Sequence, residues 1–225
     1  MATSTVEDYL KCIYLEEQSA RGELVPTGQV AAALQVAPGT ATSMVKTLAD
    51  SGLVAYEPYV GVRLTSAGQR LATHVLRRHR LVESFLVSVM GMSWSEVHSD
   101  AELLERAVSD RLIDRIDEML GHPAADPHGD PIPTAGGEIP ERSDLASLVE
   151  CPLDVRHTLV RVTDQRADFL RLLERHSLLP GCRLSVVSRD ELADTVEIAP
   201  AEGERLQLGF RAASRILIEP AGAEG

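Results

Sequence analysis

Two short stretches of the sequence gather side chains suited to holding a cation. His79 and Glu83 are four residues apart in an amphipathic run, which puts an imidazole and a carboxylate on one helix face. His98 stands just ahead of a second helical run, whose first two turns bring Glu102 and Glu105 together at i,i+3, and Asp8 sits in the first turn of the first helix. Imidazole and carboxylate without thiolate is a ligand set for manganese or ferrous iron, with zinc and cobalt as competitors. Each piece also has a plain structural reading. Ser99 with Glu102 is a capping box, an acid in a first turn complements the helix dipole as Asp8 does, and His79 with Glu83 is an ordinary surface pair. His74, His122, His128 and His157 lack partnered spacing and read as surface or loop residues, and Arg77-Arg78-His79-Arg80 reads as a solvated face.

No catalytic pattern accompanies these residues. The sequence has no HExxH, no G-x-S-x-G elbow and no phosphate loop, so a metallohydrolase is the weaker use of the cluster. Cys12, Cys151 and Cys182 are odd in number and have no CxxC pair, which makes them expected buried hydrophobes, not a disulfide framework or zinc knuckle. With 44% hydrophobic and 25% charged residues, the 225-residue chain reads as globular, with one large domain or two to three small ones. No apolar run suits a membrane span, and the first residues lack the basic and apolar regions of a secretory signal. The expected compartment is the cytoplasm. The net charge of −12 is uneven: residues 1–80 carry eight basic and seven acidic side chains, so the surplus acid lies beyond them. A near-neutral N-terminal part can still present a face to phosphates.

The elements that must position these side chains follow from periodicity and caps. A first helix is expected from Ser4, whose spacing to Glu7 fits a capping box, to a break at Arg21-Gly22. Pro26-Thr27-Gly28 opens a second, with Val30, Ala31, Ala33 and Leu34 inward, and Pro38 starts a third that carries Ala41, Met44, Val45 and Leu48 inward and stops at Gly52. Two short helices joined by a tight turn, then a hairpin over 53–64, give the order of a winged helix-turn-helix. The outward residues of the third helix, Pro38, Gly39, Thr40, Thr42, Ser43 and Lys46, are small or polar and suit a major groove; Thr27 and Gln29 join them as candidate DNA contacts. A long helix over 66–89 follows. Another is expected over 99–120, burying Leu103, Leu104, Ala107, Leu112, Ile116 and Met119. Residues 121–152 are turn-rich, and from about 153 strands with one helix over 168–176 form a small barrel. The fold class is therefore mainly α with a β C-terminal domain. The domains divide as 1–72 winged helix-turn-helix, 73–140 helical dimerisation and metal binding, 141–152 linker and 153–225 a small β-barrel.

Over nearly its whole length the chain resembles the diphtheria-toxin-repressor family of iron- and manganese-dependent regulators, in its three-domain form. The matching pieces include Val6-Glu7-Asp8-Tyr9-Leu10, Asp50-Ser51-Gly52-Leu53-Val54, Leu64-Thr65-Ser66-Ala67-Gly68, Arg78-His79-Arg80-Leu81-Val82-Glu83, Val97-His98 and Glu102-Leu103-Leu104-Glu105. Ser109-Asp110, Gly129-Asp130-Pro131-Ile132-Pro133 and Leu178-Leu179-Pro180-Gly181 complete the series, the last in an FeoA-type SH3-like domain. The resemblance implies one metal site at His79, Glu83 and His98, completed by Asp164 and Gln165, with Asp168 as an alternative. It implies another at Asp8, Glu102 and Glu105. Glu102, where iron-dependent relatives tend to carry Cys, and Asp8 both point to the manganese branch. Arg106 stands where the family usually has His, and Lys11 where some manganese regulators have Glu; neither ligates at neutral pH.

These readings converge on a Mn2+- or Fe2+-dependent regulator that binds a palindromic double-stranded DNA operator as a homodimer, makes no membrane contact and represses metal-uptake genes when loaded. Zn2+ or Co2+ are expected to bind in vitro. A winged-helix regulator sensing a different ligand is the alternative, and it would bind DNA equally well in chelator.

Overall fold

Apolar residues at helical spacing and two Gly- and Pro-bounded strands build the N-terminal part. The computed structural model describes residues 4–19, 23–140 and 144–221. These fall into two units, one running up to His79 and including Pro133–Ile139, the other comprising Arg80–Ile132 and the chain from Pro140 on.

The first unit begins with α1 (Ser4–Ser19); the break expected at Arg21-Gly22 lies outside the described residues. Next come α2 (Thr27–Ala33) and α3 (Pro38–Asp50). Pro38 takes the first helical position of α3, where its missing N–H costs nothing. Ser51 caps α3, and Gly52 follows in the left-handed region at φ 71°, where a side chain is strained. Ala41, Val45 and Leu48 recur every three to four residues and are buried, while Ala33 on α2 is exposed, contrary to its expected inward place. Strands β1 (Val54–Glu57) and β2 (Gly61–Leu64) pair antiparallel as the wing, and Val25 bridges to Val62. Glu17 ties α1 to the wing by accepting the Leu64 N–H at 2.6 Å. One core joins these elements around Leu10, Ile13, Val30, Val45, Leu48 and Val62.

Helix α4 (Ser66–Ser88) is continuous, and the division between the units falls inside it. The single helix expected over 99–120 is two, α5 (Val97–Glu105) and α6 (Asp110–Met119). Ser109 restarts the chain as an N-cap, its hydroxyl accepting the Leu112 N–H. The break shifts the buried face to Ile113 and Ile116; Leu103, Leu104, Ala107, Leu112 and Met119, expected inside, are exposed. Leu81, Val82, Leu86, Val97, Ala101, Ile113, Ile116 and Ile132 form the core here.

A six-stranded antiparallel sheet follows: β3 (Ala146–Ser147), β4 (Arg156–Val162), β5 (Arg183–Asp190), β6 (Thr195–Pro200), β7 (Leu206–Gly209) and β8 (Ile216–Pro220), in the order β3-β8-β4-β5-β6-β7. Helices α7 (Ala167–Arg175) and α8 (Phe210–Ala213) complete it. Strand β3 lies inside the stretch read from sequence as linker 141–152, and Leu148 and Cys151 are buried in the sheet's core. Residues 141–143 of that stretch are outside the described residues. Trp94, from the turn before α5, is buried in the same core.

Candidate metal centre and DNA-binding face

Along α4, His79 and Glu83 occupy one face a turn apart, and both are buried. Helix α5 presents His98 near its start, with a half-exposed ring. Its Nδ1 lies 3.0 Å from Glu83 Oε1, and one ligand atom from each of His79, Glu83 and His98 lies within 4.8 Å of the others. On the other side of the ring, Nε2 is 3.5 Å from Glu102 Oε1, so His98 links two carboxylates.

A second group shares Glu83 and is fully enclosed. It comprises Glu83, Asp126 and His128, with ligand atoms again within 4.8 Å of one another. The loop after α6 holds Asp126 and His128 by local bonding. Asp126 Oδ1 accepts the backbone N–H of His128 at 2.8 Å and of Asp130 at 2.9 Å. Gly129 between them has φ 87°, and a Cβ there would sit 1.9 Å from the Val160 carbonyl oxygen. The loop can therefore dock on β4 only with glycine at this position, and the Val162 N–H donates to the His128 carbonyl at 2.8 Å.

His128 is oriented by Trp94. Its Nε2 donates to the Trp94 carbonyl at 2.9 Å, and the two rings stack with centroids 5.5 Å apart. A carbonyl only accepts, so the neutral imidazole keeps its lone pair on Nδ1. That atom is buried without a hydrogen-bond partner and points between Glu83 Oε2, at 3.8 Å, and Asp126 Oδ1, at 4.0 Å. These separations are too long for hydrogen bonds but match ligands on a common ion, which stand about 3–4 Å apart.

The charge balance agrees. Burial, reinforced by the negative charges of Asp130 and Glu83, pushes Asp126 up to about 8, against the pull of Arg80. Arg80 lies 3.7 Å from Asp126 and 3.4 Å from Asp130, and donates to the Pro131 carbonyl. Arg161 also pairs with Asp130. Two arginines, Arg80 and the partly exposed Arg161, face the three carboxylates of Glu83, Asp126 and Asp130, so a divalent cation fits the remaining negative charge.

Not every expected site residue joins these groups. Asp8 lies on α1 in the first unit; Glu102 and Glu105 lie on α5 in the second, Glu102 exposed and Glu105 buried. Asp164 is held by Arg166, whose hydrogen bond keeps its carboxyl below the usual range. Gln165 donates to Asp130 at 2.8 Å, and Asp168 pairs with Arg171. Among the described residues, neither group takes in Asp8, Glu102, Glu105, Asp164 or Asp168. Sequence reasoning missed Asp126 and His128. His128 and His157 are buried, not the surface or loop residues expected, and Arg77-Arg78-His79-Arg80 is half-buried to buried, not a solvated face. The alternation Asp126-x-His128-x-Asp130 in a Pro- and Gly-rich loop was the available signal.

The DNA-facing candidates lie together. Pro38, Gly39, Thr40, Ser43 and Lys46 are exposed along α3, while Thr42 is half-buried with its hydroxyl donated to the Pro38 carbonyl. On α2, Thr27 is half-buried and Gln29 is exposed and bonded to Glu16.

Comparison with known proteins covers most of the chain. Residues 1–62 match the "Iron dependent repressor, N-terminal DNA binding domain" family, residues 65–134 its "metal binding and dimerisation domain", and residues 146–220 the "FeoA domain" family. The iron-dependent repressor IdeR of Mycobacterium tuberculosis is 31% identical over 194 residues, covering 81% of this chain and 83% of that protein. The HTH-type transcriptional regulator MntR of Lysinibacillus sphaericus is 34% identical over 53% of this chain and 84% of its own length. Among solved structures, a manganese-dependent transcriptional repressor in complex with manganese superposes with a TM-score of 0.85 at 38% identity, over 96% of this chain and all of that one. The manganese regulator SloR superposes at 0.76 and 36% identity, over 96% of this chain and 98% of that one. The chain belongs to the diphtheria-toxin-repressor family of metal-dependent transcription repressors.

Proposed function

We propose that this protein represses its target genes in response to Mn2+, as a homodimer on a palindromic operator, in the cytoplasm. The observation that carries the metal assignment is the orphaned Nδ1 of His128, aimed between two buried carboxylates and held in its ligating tautomer by the Trp94 carbonyl. His79, Glu83 and His98 supply the donors of the adjoining group. All are nitrogen or oxygen ligands, which suits Mn2+ or Fe2+. A relative 38% identical to this chain was solved with manganese, which favours that ion over the iron of IdeR. Asp8, Glu102 and Glu105 form a further proposed site; Arg106 beside it weakens its claim on a cation. Asp164 and Gln165, bonded to Arg166 and Asp130, remain the proposed completing ligands of the His79, Glu83 and His98 site.

Leu103 and Leu104 on α5 and Leu112 and Met119 on α6 are exposed large hydrophobics, the surface that a second copy covers. Small hydroxyls on α3 and Lys46 face the DNA, with shape contributing as much as base contacts. The helix that carries His79 and Glu83 is the same α4 that follows the wing in sequence. A shift from mostly inactive to mostly active needs roughly 3–5 kcal/mol of differential cation binding, and DNA must tighten cation binding in return.

The test is binding to genomic DNA fragments in chelator, then with Mn2+, Fe2+, Zn2+ or Co2+, using wild type, His79→Ala and Glu105→Ala. Metal-dependent binding lost in His79→Ala supports the reading, and loss in Glu105→Ala too brings in the second site. Binding that ignores chelator overturns it in favour of a winged helix sensing another ligand.

A further inference from the structure

Glu83 is the one residue common to both donor groups, and it meets them with different atoms. Its Oε1 faces His98 Nδ1 at 3.0 Å and its Oε2 faces His128 Nδ1 at 3.8 Å. The two imidazoles thus approach opposite sides of one carboxylate. His98 falls in one group with His79, and His128 in the other with Asp126, so no single ion reaches all of these atoms.

The two groups also differ in access. His98 is half-exposed, so its group opens to solvent. Glu83, Asp126 and His128 are enclosed, at 1%, 6% and 1% exposure. Asp126 nevertheless forms part of the wall of a cavity of about 640 Å³, together with Ser84, Trp94 and Glu174, which gives the enclosed group its own approach. Each group offers three protein donors, leaving room for water on a hexacoordinate ion.

We propose that the Glu83 carboxylate bridges two divalent cations, an outer one with His79 and His98 and an inner one with Asp126 and His128. The inference rests on the metal-sensing reading above. A carboxylate oxygen given to each ion is the arrangement that lets two divalent charges sit close together, because the shared negative charge lies between them. The outer ion fixes the Glu83 carboxylate with Oε2 turned inward, so the inner ion meets a prepared ligand. The two are expected to load cooperatively.

The experiment is Mn2+ titration of the full chain, followed by electron paramagnetic resonance and equilibrium dialysis, on wild type, His128→Gln and His98→Ala. Wild type is expected to give the signal of an exchange-coupled Mn2+ pair. His128→Gln is expected to bind one ion fewer and give only isolated Mn2+, and His98→Ala to lose the coupling as well. Circular dichroism checks that the variants fold, and the wild-type spectrum decides without them. A wild-type spectrum of isolated ions only, or coupling that persists in His128→Gln, overturns the bridge. If DNA binding still needs Mn2+ in either case, only the bridge fails and the repressor reading stands. No Mn2+ bound at all overturns both.

Discussion

The two units deploy their polar side chains in opposite ways. In the first, most of the residues assigned to DNA, Pro38, Gly39, Thr40, Ser43 and Lys46 on α3 and Gln29 on α2, are exposed and lie outside the core around Val45 and Leu48. In the second, a cluster of ionisable groups is inside: Arg80, Glu83, Asp126, His128 and Asp130 are all less than a tenth exposed, and only His98 beside them reaches solvent. A surface for reading DNA can be built from exposed groups because its partner supplies the complementary charge. A sensor gains from enclosing its ligands, since buried carboxylates without their cation carry an unrelieved cost that binding removes. The division teaches where function and stability separate. They are independent along α3 and inseparable around Glu83.

Glu83 is where that contrast is sharpest. Glu83→Gln removes the negative charge shared by both groups and leaves one oxygen where two were needed, and it is expected to weaken Mn2+ binding by at least ~100-fold, read by isothermal titration calorimetry. The stabilisation by added Mn2+ should vanish with it, because a ligand raises the melting temperature only as far as it binds the folded state. Retained metal-induced stabilisation in this variant would place the sensing site elsewhere, for instance at Glu102 and Glu105.

Gly129→Ala attacks the same region through the backbone alone. A Cβ 1.9 Å from the Val160 oxygen, at φ 87°, forces the loop off β4. The expected loss is ~3–5 kcal/mol in urea denaturation, with Mn2+ binding weakened although no donor has changed. Lys46→Ala sits at the other pole. It should weaken operator binding by ~10-fold and lower the salt slope by about one, while melting temperature and Mn2+ affinity stay at wild-type values. A Lys46→Ala protein with altered Mn2+ affinity would break the proposed separation.

The same divide governed what the sequence disclosed. In the first unit the signals are local: Pro38 at a helix start, Gly52 at its end, apolar spacing through Ala41, Val45 and Leu48, and a hairpin directly after. Each is fixed by neighbours a few residues away. The outer donors were legible for the same reason, since His79 and Glu83 share a helix turn. Asp126 and His128 were not, because their meeting with Glu83 depends on a loop docked on β4, more than thirty residues on in sequence. The helix break at Ser109 was hidden by unbroken apolar spacing from Leu103 to Met119, which a dimer surface imitates. Strand β3 is two residues long, too short for any period to register.

The smallest predicted effect concerns a carboxylate in the first unit that binds neither DNA nor metal. Glu17 is half-buried and accepts the Leu64 N–H at 2.6 Å. Burial raises its carboxyl above the ordinary value, outweighing the hydrogen bond and the nearby Arg63 charge, which lower it. A raised folded-state value means the native protein holds this proton more tightly than the unfolded chain does. Its contribution is complete below the unfolded value and is lost as pH rises through the raised one. Glu17→Gln keeps an oxygen for the Leu64 N–H and never ionises, so its melting temperature relative to wild type should climb as pH passes up through the carboxylate range. Solvent screening at this partly open site limits the gain to below ~1 kcal/mol, or about 2–4 °C at most. A difference that stays flat with pH would mean that the wing anchor depends on the hydrogen bond alone. A difference that falls with pH would mean that the Arg63 charge outweighs burial, and that even this structural carboxylate behaves as the surface groups of its unit do.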